Sequence, residues 1–128
     1  MSTISGASSE LLFRYECTKR NIVPSIPDTD IMGYDVIVHC ENNLYKIQIK
    51  STRYVRGKSY KVNCGKNKYS NDKYTKNHAD FFAIHLAPIN IWYIIPVEEI
   101  SVTTINLYPE DINNKYYQFK SAWHLLAS

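Results

Sequence analysis

The sequence predicts an α/β domain, and three observations carry that reading. Apolar residues at helical spacing open the chain, apolar and polar residues alternate on both sides of Asn42-Asn43, and two short apolar runs follow at residues 80–86 and 91–96. Alternation marks a half-buried strand, whereas an unbroken apolar run of strand length fits a central strand covered on both faces. With 128 residues, 45% of them hydrophobic, the chain has material for one core and is read as a single domain over residues 1–128. That length leaves little room for a separate recognition module.

Taken in order, Ile4, Ala7, Leu11 and Tyr15, with Leu12 and Phe13 widening the stripe, predict an opening helix that ends at the basic pair Lys19-Arg20. Residues 21–24 predict a short strand that Pro24 confines to an edge or ends early, because proline offers no ladder N–H. Residues 34–50 predict a β-hairpin. A two-residue Asn42-Asn43 loop, where Asn tolerates positive φ, sets Glu41 opposite Leu44, Val38 opposite Ile47, Val36 opposite Ile49 and Asp35 opposite Lys50. Val36, Val38, Cys40, Tyr45, Ile47 and Ile49 then form an apolar face, while Asp35, Gln48 and Lys50 share the other, with His39 toward the turn. Residues 51–55 continue the strand or bend away, and residues 58–63 read as a returning strand. Beyond the two apolar runs, residues 97–100 predict one helical turn, residues 102–108 a strand and residues 117–126 a terminal amphipathic helix.

The net charge of +3 understates an asymmetry along the chain. From Lys50 to Lys76 there are nine Lys or Arg residues and one acid, Asp72, against six basic and eleven acidic residues elsewhere. Within this basic excursion, at about 51–79, Arg53, Arg56, Lys58, Lys61, Lys66, Lys68, Lys73 and Lys76 are interleaved with Tyr54, Tyr60, Tyr69 and Tyr74. Such a mixture neutralises phosphates, stacks on bases or sugars and reaches base edges. A solvated loop is the bland account of a charged run. Departure of this one directly from Lys50 favours nucleic acid, with Ser51 a further phosphate donor.

Other classes find less support. No apolar run approaches the roughly 20 residues a bilayer span needs, and the polar N-terminus lacks a charged stretch followed by an apolar one. A cytoplasmic protein with no membrane partner is therefore expected. Cys17, Cys40 and Cys64 are odd in number and widely spaced, with no CxxC pair, so reduced thiols rather than a zinc site are expected. His78, His85 and His124 show no paired spacing and read as structural or surface residues, His78 being a further candidate for phosphate contact.

A carboxylate, a carboxamide and an ammonium at the open end of one hairpin face suit metal-assisted phosphodiester hydrolysis. Asp35 can hold a hard divalent cation, and Lys50 can orient a water or offset charge on the scissile phosphate. Either alone is ordinary, since an Asp before a strand is usually a turn residue and a Lys at a strand end is usually solvated. Their convergence carries the weight. Here the chain resembles the PD-(D/E)xK nuclease superfamily, whose signature is an Asp at the start of one strand and a (D/E)xK triplet in the next. The triplet is Gln48-Ile49-Lys50, so an amide replaces the second acid. The resemblance narrows to the QxK subset, which includes group I intron homing endonucleases and Holliday-junction-resolvase-like nucleases. It covers most of the chain in outline, Asp80-Phe81-Phe82 and Trp92-Tyr93-Ile94-Ile95-Pro96 included.

The resemblance implies a restriction-endonuclease-like core, that is, a mixed central β-sheet flanked by helices, with DNA as substrate and Mg2+ as cofactor, for which Mn2+ can substitute. Family members carry a Glu in the first helix that points toward the metal. Glu10 matches it by position, and Glu16, expected to lie in solvent, is the competing acid. The implied catalytic residues are Glu10, Asp35, Gln48 and Lys50. The implied metal ligands are Glu10, Asp35, the backbone carbonyl of Ile49 and Gln48, whose amide oxygen ligates without adding charge. The expected function is a metal-dependent DNA endonuclease of the site-selective homing type. The alternatives are a structure-selective junction resolvase and a non-catalytic DNA-binding protein that keeps the fold. A subunit this small would cut one strand, so double-strand cleavage would require a homodimer or homotetramer.

Overall fold

A computed structural model describes residues 4–29, 33–65 and 77–127, with the side chains of residues 4 and 5 excepted. The elements run α1 (Ile4–Thr18), β1 (Val23–Ser25), β2 (Val36–Cys40), β3 (Asn43–Thr52), β4 (Val55–Arg56), β5 (Ser59–Asn63), β6 (Phe81–Leu86), β7 (Ile91–Pro96) and β8 (Thr104–Leu107). Five strands form the main sheet in the order β1-β2-β3-β6-β7; β3 and β6 are parallel and every other pair is antiparallel, so the sheet is mixed. The remaining three form a second sheet, β4-β5-β8. Helix α1 covers one face of the main sheet through Phe13 and Cys17, and the second sheet covers the other at its β6–β7 end.

Strand periodicity explains this division. On β6 and β7, Ala83, Trp92 and Ile94 join the helix-side core, while Phe82, Ile84, Leu86, Tyr93 and Ile95 join the core under the second sheet. Both strands are therefore buried on both faces, as continuous apolar runs require. Strand β1 takes the edge, where the missing N–H of Pro24 costs least.

Three expectations are corrected. First, the buried face of α1 is Ser9, Phe13 and Cys17, not the Ala7, Leu11 and Tyr15 stripe, which lies two positions, about 200°, round the helix. Leu11 and Tyr15 are 60% and 59% exposed. The Phe13 ring docks between Trp92 and Trp123, with centroids 5.6 and 5.8 Å away, and a hydrophobicity pattern undervalues the buried Ser9. Second, the hairpin corner is Glu41-Asn42, with Glu41 at φ 54°, so Val36 faces Ile47, Val38 faces Tyr45 and Cys40 faces Asn43. The expected register was off by two residues. An even slip preserves which face each side chain occupies, so alternation alone cannot distinguish the two registers. Third, the terminal helix is replaced by two short 3-10 turns, Tyr117–Phe119 and Trp123–Leu125. Between them Ser121, at φ 53°, donates its N–H to the Trp92 carbonyl, and Lys120 bridges to Tyr93, so docking on β7 outweighs local helical preference.

Among the described residues, no helix is long and apolar enough to cross a membrane. The three cysteines are free thiols, and burial pushes those of Cys17 and Cys64 up to about 12.

Candidate active site

The ladder between β2 and β3 has its last pair at Val36 and Ile47, yet β3 runs on to Thr52 beside β6. Beyond Ile47 one edge of β3 therefore lies outside that ladder, and Asp35 occupies it. The Asp35 carboxylate Oδ2 accepts the Ile49 N–H at 2.8 Å, and the Asp35 N–H donates to the Ile47 carbonyl at 2.8 Å. The Ile49 carbonyl leaves its strand on the same edge as the Ile49 N–H, toward Asp35. Gln48 and Lys50 pair with Phe82 and Ile84 and share their face of the sheet, away from α1.

Lys50 is half-buried, and its Nζ donates to the Gly65 carbonyl at 3.0 Å. Burial pulls the ammonium below the usual lysine range, with Cys64 and Asp35 opposing. Since the Cys64 thiol titrates near 12, it is uncharged at neutral pH and Asp35 is the anion that acts there. Burial likewise raises the Asp35 carboxyl, against the Ile49 N–H and the Lys50 charge. Glu10 is raised by burial and then by the charge of Asp35, with Arg14 opposing. The helix acid thus lies within electrostatic reach of the strand acid. A carboxyl whose ionisation is hindered by burial and by a neighbouring carboxylate is a place where a cation lowers the energy of the charged form.

The donor set fits a hard cation. Among the described residues no group of three His, Cys, Asp or Glu could hold a metal, so two carboxylates would need help from neutral oxygens. Gln48 and the Ile49 carbonyl are of that type, and Mg2+ in particular binds through one or two carboxylates while keeping waters or taking substrate oxygens.

The other expected residues divide. Glu16, expected in solvent, is only 13% exposed and pairs with Lys19 at 3.1 Å and Arg20 at 2.7 Å. Ser51 lies opposite His85 on the helix side of β3, away from the Lys50 face. Arg53, Arg56, Lys58 and Lys61 are exposed, whereas Lys66, Lys68, Lys73 and Lys76 lie outside the described residues. Gly65 and Cys64, which surround the Lys50 ammonium, had no signal in the sequence because their proximity comes from the return of β5. Gly33, two residues before Asp35, has a purpose equally hidden. A Cβ there would lie 2.8 Å from His78 Cβ.

A second polar group is anchored behind the site. His85, 6% exposed, meets Ser9 Oγ at 2.9 Å through Nδ1 and Asn90 Oδ1 at 2.8 Å through Nε2, and it stacks on Trp92. Ser9 directly precedes Glu10, so this contact fixes the face that α1 presents.

A family model described as PD-(D/E)XK endonuclease matches residues 5–126. Among solved structures, the bacterial homing endonuclease I-Ssp6803I is similar, with a TM-score of 0.81 and 21% sequence identity over 95% of this chain and 90% of that one. No curated protein matches in sequence.

Proposed function

Because this chain belongs to the PD-(D/E)XK endonuclease family, we propose that it is a divalent-cation-dependent DNA endonuclease of the site-selective homing type. One observation carries the reading. Asp35 and Lys50 act on each other beside the stretch of β3 that continues past the β2 ladder, with Glu10 in electrostatic reach of Asp35. The structural likeness to a homing endonuclease and the basic excursion after Lys50 support the finer assignment.

In this reading Glu10, Asp35, Gln48 and the Ile49 carbonyl hold Mg2+ or Mn2+, which supplies Lewis-acid polarisation of the scissile phosphate and a more acidic water. Asp35 is oriented by the Ile49 N–H, which uses one of the roughly four lone-pair positions of its carboxylate. Lys50, steadied by the Gly65 carbonyl, brings positive charge to the same face and offsets the negative charge that grows on the phosphate as the bond breaks. Arg53, Lys58, Lys61, Lys66, Lys68, Lys73 and Lys76 supply contacts to the DNA backbone, whereas Ser51, on the helix side of β3, is not placed for the phosphate contact expected of it. Cutting both strands takes two such sites, hence a homodimer or homotetramer.

The test compares the parent with Asp35→Ala and Lys50→Ala on a random-sequence duplex library and on a four-way junction, with and without Mg2+. The parent is expected to cut a subset of duplexes only with the cation. Each substitution should slow cutting by about 100- to 1,000-fold while leaving DNA binding in place. Parental rates in both folded variants would refute the mechanism. Preferential cutting of the junction would replace the homing assignment with a resolvase, and binding without any cutting would leave only a DNA-binding protein.

A further inference from the structure

The second sheet has an outer face that the hydrolytic site does not use. Along β5 and β8, Tyr60, Val62, Ile105 and Leu107 point into the core, while Lys61, Asn63, Thr104 and Asn106 form an exposed outer row with Ser59 half-buried beside them. Lys61 pairs across the ladder with Asn106, and Ser59 Oγ donates to Asn106 Oδ1 at 3.4 Å. With Tyr54, Arg56, Lys58 and Tyr108 these residues line a concavity of about 480 Å³ that contains three cations and no carboxylate. An ordinary solvated face mixes both signs of charge.

The chemistry separates two uses of such a face. Phosphate contact needs positive charge alone, whereas reading bases needs groups that match the donor and acceptor pattern of base edges. A carboxamide steadied by a hydroxyl and an arginine, flanked by tyrosines, is of the second kind. Size agrees. Neighbouring strands are about 4.8 Å apart, and beyond Tyr60 strand β5 pairs with β8 alone, which gives that stretch the width of the two-stranded ribbons that enter the roughly 12 Å major groove.

Position agrees as well. Thr52 Oγ1 donates to the Lys61 carbonyl at 2.7 Å and accepts the Tyr54 N–H at 3.0 Å, which ties the second sheet to the strand that bears Lys50. Two residues of strand span about 7 Å, and each further ladder step adds about 5 Å, so the outer row begins roughly two to five base pairs from the scissile phosphate.

We propose that the outer face of the β4-β5-β8 sheet is a base-reading surface that lies in the major groove of duplex DNA beside the cut, with Asn106 and Arg56 the specificity-determining residues. This rests on the nuclease reading for its substrate and extends it to how a target is chosen. An amide favours adenine and a guanidinium favours guanine at the positions they meet.

The experiment selects bound sequences from a randomised duplex pool with Ca2+ in place of Mg2+, using the parent, Asn106→Ala, Arg56→Ala and Lys58→Ala. The parent should enrich a defined sequence. Asn106→Ala and Arg56→Ala should each lose about 5- to 150-fold discrimination at one or two positions near the cut, while Lys58→Ala should weaken all sequences alike and reduce the salt slope by about one. The inference is overturned if the parent enriches nothing, or if Asn106→Ala and Arg56→Ala keep the parental sequence or weaken all sequences equally, as a phosphate-only surface would. A parallel Mg2+-dependent plasmid-nicking assay with the parent and Asp35→Ala reports on the nuclease reading separately. Nicking that needs Asp35, together with unchanged sequence preference in Asn106→Ala, sinks the reading surface and spares the nuclease.

Discussion

Replacing Ser9 by alanine removes a hydrogen bond that links the rotation of α1 to the sheet. Both partners are buried, Ser9 at 3% and His85 at 6% exposure, and Oγ lies 2.9 Å from Nδ1. Burial holds His85 below the ordinary histidine range, so the ring is neutral near pH 7 and only one nitrogen carries a proton. The Asn90 oxygen can only accept, which assigns that proton to Nε2 and leaves Nδ1 to accept from the Ser9 hydroxyl. Alanine strands that acceptor, at a cost of about 1–3 kcal/mol. For a chain of this length the loss lowers Tm by roughly 3–15 °C.

The effect on cleavage follows from the neighbouring residue. A side chain about 6 Å from a helix axis moves about 1 Å for every 10° of rotation, and a misplacement of that size costs about 100-fold in rate. Ser9→Ala is therefore expected to slow Mg2+-dependent cleavage by about 10- to 100-fold in single-turnover assays run well below its melting temperature. Leu11→Ala, on the exposed side of the same helix, should cut at the parental rate. A Ser9→Ala protein that melts lower but cuts normally would show that the bond serves the fold without aiming Glu10. An unchanged melting temperature would refute the energetic argument itself.

Three further outcomes are expected. Because burial raises the Asp35 carboxyl, its charged form costs stability above its folded pKa and costs nothing once protonated. Asp35→Asn should thus melt above the parent near neutral pH, with the advantage fading as pH falls through that raised value, and added Mg2+ should stabilise the parent alone; melts across pH with and without cation check this. Gly33→Ala would force a Cβ to 2.8 Å from His78 Cβ and push the chain just before Asp35, costing about 1–3 kcal/mol in urea unfolding and lowering cleavage in the same protein. Glu41, held at φ 54° in the hairpin corner, should gain up to about 1 kcal/mol on replacement by glycine, read as a higher urea midpoint with no change in cleavage.

The sequence made the sheet legible where a pattern had a single solution. The runs around Phe82–Leu86 and Ile91–Ile95 were of strand length and apolar throughout, which suits the strands covered on both faces that they form, and alternation through Val36–Cys40 and Tyr45–Lys50 put Gln48 and Lys50 on one face in either register. Where several solutions satisfied the pattern, it was less reliable. The corner at Glu41-Asn42 differs from Asn42-Asn43 by an even slip that leaves every face unchanged, and the stripe through Leu11 and Tyr15 was as apolar as the face through Phe13 that packs. What settled both lies far along the chain. Trp92 and Trp123 receive Phe13, and His85 satisfies Ser9, none of which helical spacing encodes. The Gly65 carbonyl at Lys50 and the close approach of Gly33 to His78 are likewise consequences of tertiary folding, invisible to local reading.

The two-residue period of β5 and β8 gives an engineer a clean partition. Tyr60, Val62, Ile105 and Leu107 are held in place by the core they fill, whereas Lys61, Thr104 and Asn106 are exposed and make at most local surface contacts, such as the Ser59 hydrogen bond to Asn106. Diversifying that solvent row, where substitutions usually change stability by no more than about 0.5 kcal/mol, explores new target preferences with little danger of misfolding. No such freedom exists around Asp35 and Lys50, whose side chains are themselves partly embedded in the protein.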